Sequence, residues 1–117
     1  MKVYICTVEW NWGAEADHEI LKVYSNKEAA QRWKDNAIPL IKEMHKRHEA
    51  IEKQVRAPEK YKYLVDSDYQ KALDQYYLDL GKADDEFEEW RKPFEDDYIG
   101  SHLGYNPDFE EYEVLDE

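Results

Sequence analysis

The stretch from Ser67 to Lys92 constrains this chain more than any other, because it carries the longest uninterrupted helical pattern in the sequence. Tyr69, Leu73, Tyr76, Leu80, Ala83, Phe87 and Trp90 recur at alternating steps of four and three, which draws one apolar stripe down a single helix face. Such a stripe needs a partner to bury it. Asp74, Asp79, Asp84, Asp85, Glu86, Glu88 and Glu89 occupy the other faces and would form a solvated surface of one sign. At 1.5 Å per residue the helix would be about 39 Å long, enough to carry a charge pattern across a small domain.

The partner is a second striped segment. Ser25 followed by Glu28 has the spacing of a capping box, which predicts a helix over about residues 26–56. Ala30, Trp33, Ala37, Leu40, Met44 and Ile51 keep the three-and-four spacing, Arg47 interrupts it, and Ile41, His48 and Val55 widen it. Pro39 falls inside the pattern, where it lacks an amide donor and crowds the preceding turn, so a kink or short break is expected near Asn36 to Ile38. Ala57, Pro58 and Glu59 end the helix, and residues 60–65 read as a connection. Ser67 and Gln70 repeat the capping-box spacing and open the next helix, expected over residues 68–92. Gly81 weakens it without breaking it, and Pro93 stops it. Two striped helices joined by a short connection predict an antiparallel helical hairpin.

The ends of the chain read as strands. Lys2 to Trp10 is β-branched or aromatic almost throughout and apolar on both faces, Tyr4, Cys6, Val8 and Trp10 against Val3 and Ile5, which suits an inner strand. Asn11 to Asp17, with Gly13 inside, predicts a hairpin loop longer than two residues, and His18 to Tyr24 returns as the second strand. Gly100, Gly104 and Asn106-Pro107 mark an ordered loop anchored by Tyr98, Ile99, Leu103 and Tyr105. Phe109 to Leu115 then alternates acids with apolar residues, as a charged edge strand would. The expected fold is one α+β domain: a small antiparallel sheet of the N-terminal hairpin plus the C-terminal strand, packed with the helical hairpin. A length of 117 residues, 42% of them hydrophobic and 15% aromatic, can close one modest core.

Charge narrows the functional classes. The net charge of −12 resides in the second half: residues 1–56 sum to +1 and residues 57–117 to −13. That field repels nucleic acid and anionic lipid and attracts the basic surfaces with which proteins hold nucleic acid. Neither direct nucleic-acid binding nor a membrane span is expected, and no stretch approaches the roughly eighteen apolar residues of a span. One cysteine, Cys6, excludes an intramolecular disulfide and a cysteine-rich zinc site, and the opening strand has no charged region leading into a long apolar one, so a cytoplasmic location is expected.

Catalytic and metal patterns are weak. His45 and His48 with Glu49 form His-x-x-His-Glu, neither the zinc-helix order nor its inverse, and read as surface residues; His18 and His102 are assigned to no site. Cys6, within an apolar strand, reads as a core residue and not a nucleophile. The run Asp84 to Glu89 lacks the glycine and ligand spacing of a calcium loop, and there is no glycine-rich phosphate loop. No enzyme activity, cofactor or metal is expected. Residues 79–97 hold nine acids against Lys82, Arg91 and Lys92, which makes Asp79, Asp84, Asp85, Glu88, Glu89, Glu95, Asp96 and Asp97 the candidate partner-binding residues. Carboxylates held on a rigid helix can occupy a groove built for phosphates, with neighbouring aromatics as anchors.

The opening Met1-Lys2-Val3-Tyr4-Ile5 strand and the Tyr24-Ser25-Asn26-Lys27-Glu28-Ala29-Ala30 strand-to-helix junction resemble those of small proteins encoded by bacteriophages and mobile elements. In size and charge the chain is similar to anti-CRISPR and other DNA-mimic inhibitors. That resemblance implies an inhibitor of a basic nucleic-acid-binding host defence protein, acting in the host cytoplasm, and carries over no functional residue. The basic-to-neutral first half departs from a uniformly acidic mimic. The alternative is a structural or assembly component that forms a homodimer or larger assembly through its helices.

Overall fold

A computed structural model describes residues 1–12, 15–101 and 103–115, with Trp12 as backbone only. The fold is α+β, with a three-stranded antiparallel sheet and two long helices. Strands β1 (Lys2–Trp12) and β2 (Glu15–Tyr24) form the hairpin, α1 (Lys27–Gln54) and α2 (Asp66–Phe94) follow, and β3 (Tyr105–Glu113) returns to the sheet. The sheet order is β2-β1-β3, so the strand with two apolar faces is the central one. By its contacts the chain falls into two compact units, Met1–His45 with Arg91–Glu117, and Lys46–Trp90.

In the first unit one face of the sheet packs on the N-terminal part of α1. Tyr4, Cys6 and Val8 meet Ala30, Trp33, Ala37 and Ile41, with Leu21, Tyr24, Tyr98 and Phe109 packed around them. Ile41, not Leu40, takes the buried place on the stripe. Trp33 is nearly inaccessible; its indole N–H donates to the Asp97 carbonyl at 2.6 Å and its ring stacks on Tyr98. Burial pushes the Cys6 thiol up to about 11, so Cys6 is the apolar core residue its position predicts.

The second unit is helical. The last turns of α1 run antiparallel to α2, with Arg47 over the Trp90 ring at 4.6 Å and His48 against Phe87 at 5.9 Å. Of the α2 stripe Phe87 is buried, while Tyr69, Leu73, Tyr76, Leu80 and Ala83 are half-buried. A short 3-10 turn at Lys60–Lys62 lies in the connection, where Tyr63 packs edge-on against Tyr69.

Several boundaries differ from expectation for identifiable reasons. The cap of α1 is Asn26, whose Oδ1 accepts the Ala29 amide at 3.1 Å; Asn caps as well as Ser, and the helix starts one residue later than a Ser25 cap would give. Pro39 breaks nothing: α1 is continuous through it, and because Pro39 and Asp35 are both exposed, the carbonyl that loses a donor is left to water. Helix α2 begins at Asp66, its first amides received by the Val65 carbonyl, and Gln70 donates to Asp74 and not back to a cap. Pro93 lies inside the last turn of α2, and the chain continues as a π turn over Glu95–Ile99 that Gly100 closes through a 2.7 Å bond to the Glu95 carbonyl.

The strands also differ at their ends. The hairpin ladder extends to the pair Trp12↔Glu15, which takes into the strands most of what reads as loop; Gly13 and His102 lie outside the described residues. Strand β3 starts at Tyr105 instead of Phe109 and ends at Glu113 instead of Leu115. Asn106 adopts a positive φ of 49° beside Pro107, an irregularity that an edge strand tolerates because its outer amides pair with nothing in the sheet.

Candidate interaction surfaces

The carboxylates expected to bind a partner fall into two groups. Asp79, Asp84, Asp85, Glu88 and Glu89 belong to the helical unit, and every one is exposed. Asp79 also accepts the Gln75 amide at 2.9 Å. Glu95, Asp96 and Asp97 belong to the sheet unit, on the π turn, and two of these three have structural duties. Glu95 lies 3.5 Å from the guanidinium of buried Arg91, and Asp97 pairs with Lys22 at 2.8 Å while its carbonyl receives Trp33. The carboxylate of Asp97 holds the Lys22 ammonium above its ordinary pKa by that hydrogen bond and charge.

Within the helical group, Tyr77 and Leu78 are the residues that pattern-reading missed. Both lie off the stripe, and they are 60% and 69% exposed. Tyr77, Gly81, Asp84, Asp85 and Glu88 recur at steps of four, three, one and three, so they share the outer face of α2. Gly81 has nothing within 4 Å of where a Cβ would stand. Its lack of a side chain meets no packing need in this chain, although it costs the helix about 1 kcal/mol relative to Ala. The available signal was the doublet Tyr76-Tyr77 followed by Leu78: three successive large apolar residues cannot all lie on one stripe.

A second surface comes from the sheet. The register shifts between Cys6 and Thr7: Cys6 pairs with Lys22, Thr7 with Ile20, and Leu21 is the extra residue of a β-bulge. The bulge reverses the alternation of β2 from that point. It turns Glu19 inward, where its carboxylate accepts the amide and hydroxyl of Ser101 at 2.8 and 3.0 Å, and it turns Ile20 and His18 outward. Gly100, at φ +86°, fits here because a Cβ would collide with the Glu19 carboxylate. Ile20 and His18 join Ile5, Thr7, Glu110 and Tyr112 around an open cavity of about 360 Å³ on the sheet face turned away from α1. The run Ile20-Leu21-Lys22-Val23-Tyr24 breaks strict alternation, which is the trace such a bulge leaves in a sequence.

Each of the three described histidines has its own partner. His45 is drawn into the sheet unit, where its Nε2–H donates to the Gly104 carbonyl at 2.9 Å, and His48 lies in the helical unit between Phe87 and Glu52. His18 stands 3.4 Å from Glu9, its cross-strand neighbour. Among the described residues no three His, Cys, Asp or Glu side chains are placed to hold a metal ion, and no helix is long and apolar enough to cross a membrane. No family model matches the chain, and no curated protein or solved structure matches it at a significant level.

Proposed function

We propose that this chain is a non-catalytic protein-binding module that presents the outer face of α2 to a basic surface, of the kind with which nucleic-acid-binding proteins hold their ligand. One observation carries the reading: Tyr77 and Leu78 stand exposed on an unbroken helix, about two to three turns before exposed Asp84, Asp85, Glu88 and Glu89. Aromatic anchors beside carboxylates supply both elements of a tight contact with a cationic groove, a desolvated centre and charges that steer the approach. The bare backbone at Gly81 leaves room between anchor and acids for close approach. By this reading the chain inhibits its partner by occupying the nucleic-acid site.

The test is affinity capture of the partner followed by binding measured against salt. The Glu88→Lys/Glu89→Lys variant should fold, since both side chains are exposed, and should bind at least about tenfold more weakly. Association of the parent should slow steeply as salt shortens the screening length below about 10 Å. A folded double variant that binds as tightly, with the same salt dependence, contradicts the proposal.

A second reading draws on Tyr61, Leu64 and Val65, all exposed around the start of α2: self-association through the helical unit. Light scattering separates the two, because the first reading gives a monomer at concentrations where the second gives dimers.

A further inference from the structure

A three-stranded sheet has two faces, and in this chain α1 covers one of them. The pairs Ile5↔Val23, Thr7↔Ile20 and Val3↔Tyr112 put six side chains on the other face. Ile20 is 62% exposed, Val23 56% and Tyr112 47%, although the solvated face of an antiparallel sheet ordinarily carries polar side chains. Together with Ile5 they make a contiguous apolar strip beside the cavity.

We propose that this outer face docks an amphipathic α-helix of another protein, apolar along the line that meets Ile5, Ile20 and Tyr112 and flanked by Lys or Arg. The dimensions fit. Outer strands on either side of β1 stand about 10 Å apart, and a helix with its side chains is about 10–12 Å across. The same sheet already accepts one helix, α1, on its inner face.

Charge selects the occupant. Glu9 and Glu110 rise from the outer face on β1 and β3, and the register puts Lys22 beside Cys6, on the inner side. Each carboxylate is held in place, Glu9 by the Asn106 amide on one oxygen with His18 3.4 Å from the other, and Glu110 by the Tyr112 hydroxyl at 2.8 Å, and each keeps lone pairs that can accept from a cation. A second copy of this chain would bring Glu9, Glu110 and a net charge of −12 against the same carboxylates, and α2 of a second copy would bring more acids. A basic amphipathic helix meets the strip with its apolar line and the two carboxylates with its flanks. The inference does not rest on the reading of α2, since no residue is shared.

The experiment titrates the whole protein with a synthetic Leu/Lys peptide of about 18 residues, long enough to be helical in water, whose leucines follow the 3.6-residue period. A peptide of the same composition with the leucines scrambled serves as the control for charge alone. Amide chemical-shift changes should cluster on Ile5, Thr7, Ile20 and Tyr112, and the periodic peptide should bind about tenfold more tightly than the scrambled one. Ile20→Lys, at an exposed position, should abolish that preference, and the milder Glu110→Gln should weaken binding about two- to threefold. Glu88→Lys/Glu89→Lys should leave the preference unchanged. Equal binding of the two peptides, shift changes confined to α2, or a preference that survives Ile20→Lys would each overturn the proposal. So would a dimer that Ile20→Lys dissolves, because the face would then be covered by a second copy.

Discussion

The two units of this molecule bury their side chains to different depths. In the sheet unit Cys6, Val8, Ala30, Ala37, Met44 and Ile99 reach complete burial, and they come from both ends of the chain. In the helical unit Phe87 is the one buried side chain, and the rest of a regular seven-residue stripe remains half-exposed. Regular periodicity therefore does not measure depth of burial. Two helices cover each other along one line only, whereas a sheet closed by a helix and by a returning segment encloses residues from every side. The sheet unit should set the global stability, and the helical unit should open at lower free energy.

The largest effect is expected at Trp33. Trp33→Ala removes a large buried ring and leaves the Asp97 carbonyl without its donor, so a loss of about 3–5 kcal/mol is expected in denaturant unfolding, felt by probes in both units. Phe87→Ala should cost about 3 kcal/mol at most, at the low end for a buried Phe because its neighbours can collapse toward the gap. Its effect should be larger on the exchange of α2 amides than on those of β1. A smaller effect involves Cys6. The unfolded thiol ionises near 9.0 and the buried one near 11, so the unfolded chain releases its proton first as pH rises. Stability is thus fully present below pH 9 and falls by up to about 2 kcal/mol as pH climbs toward 11, a loss that Cys6→Ala should abolish in pH-dependent melts. The smallest change is a gain: Gly81→Ala meets open space and should stabilise α2 by about 1 kcal/mol, read as a raised thermal midpoint. If the outer face of α2 docks closely on a partner, the same substitution should weaken that binding.

The elements were legible because each carries its own local signal. The apolar alternation of β1, the stripes of both helices and the anchoring role of Ile99 all follow from residue order. What was illegible depends on residues far apart in sequence. The bulge at Leu21 is a relation between β1 and β2, and it decides that Ile20 faces out and that Glu19 meets Ser101, 82 positions away. Glu95 and Asp97 count as free acids in a composition, yet Arg91 and Lys22 stand beside them in the fold. Pro39 reads as a break because its missing amide counts as a lost bond, whereas on the exposed side of α1 water can take the place of that donor. Ser25 and Asn26 are adjacent capping residues, and spacing alone chose the wrong one.

Native-state hydrogen exchange tests the division between the units most directly. Amides of Cys6 and Val8 in the central strand should exchange only through global unfolding, with the full dependence on denaturant. Amides from Leu73 to Ala83 in α2 should exchange through a smaller opening, with lower free energy and a shallower denaturant slope. If the two sets instead share one free energy and one slope, the helical unit has no separate opening and unfolds only together with the sheet unit.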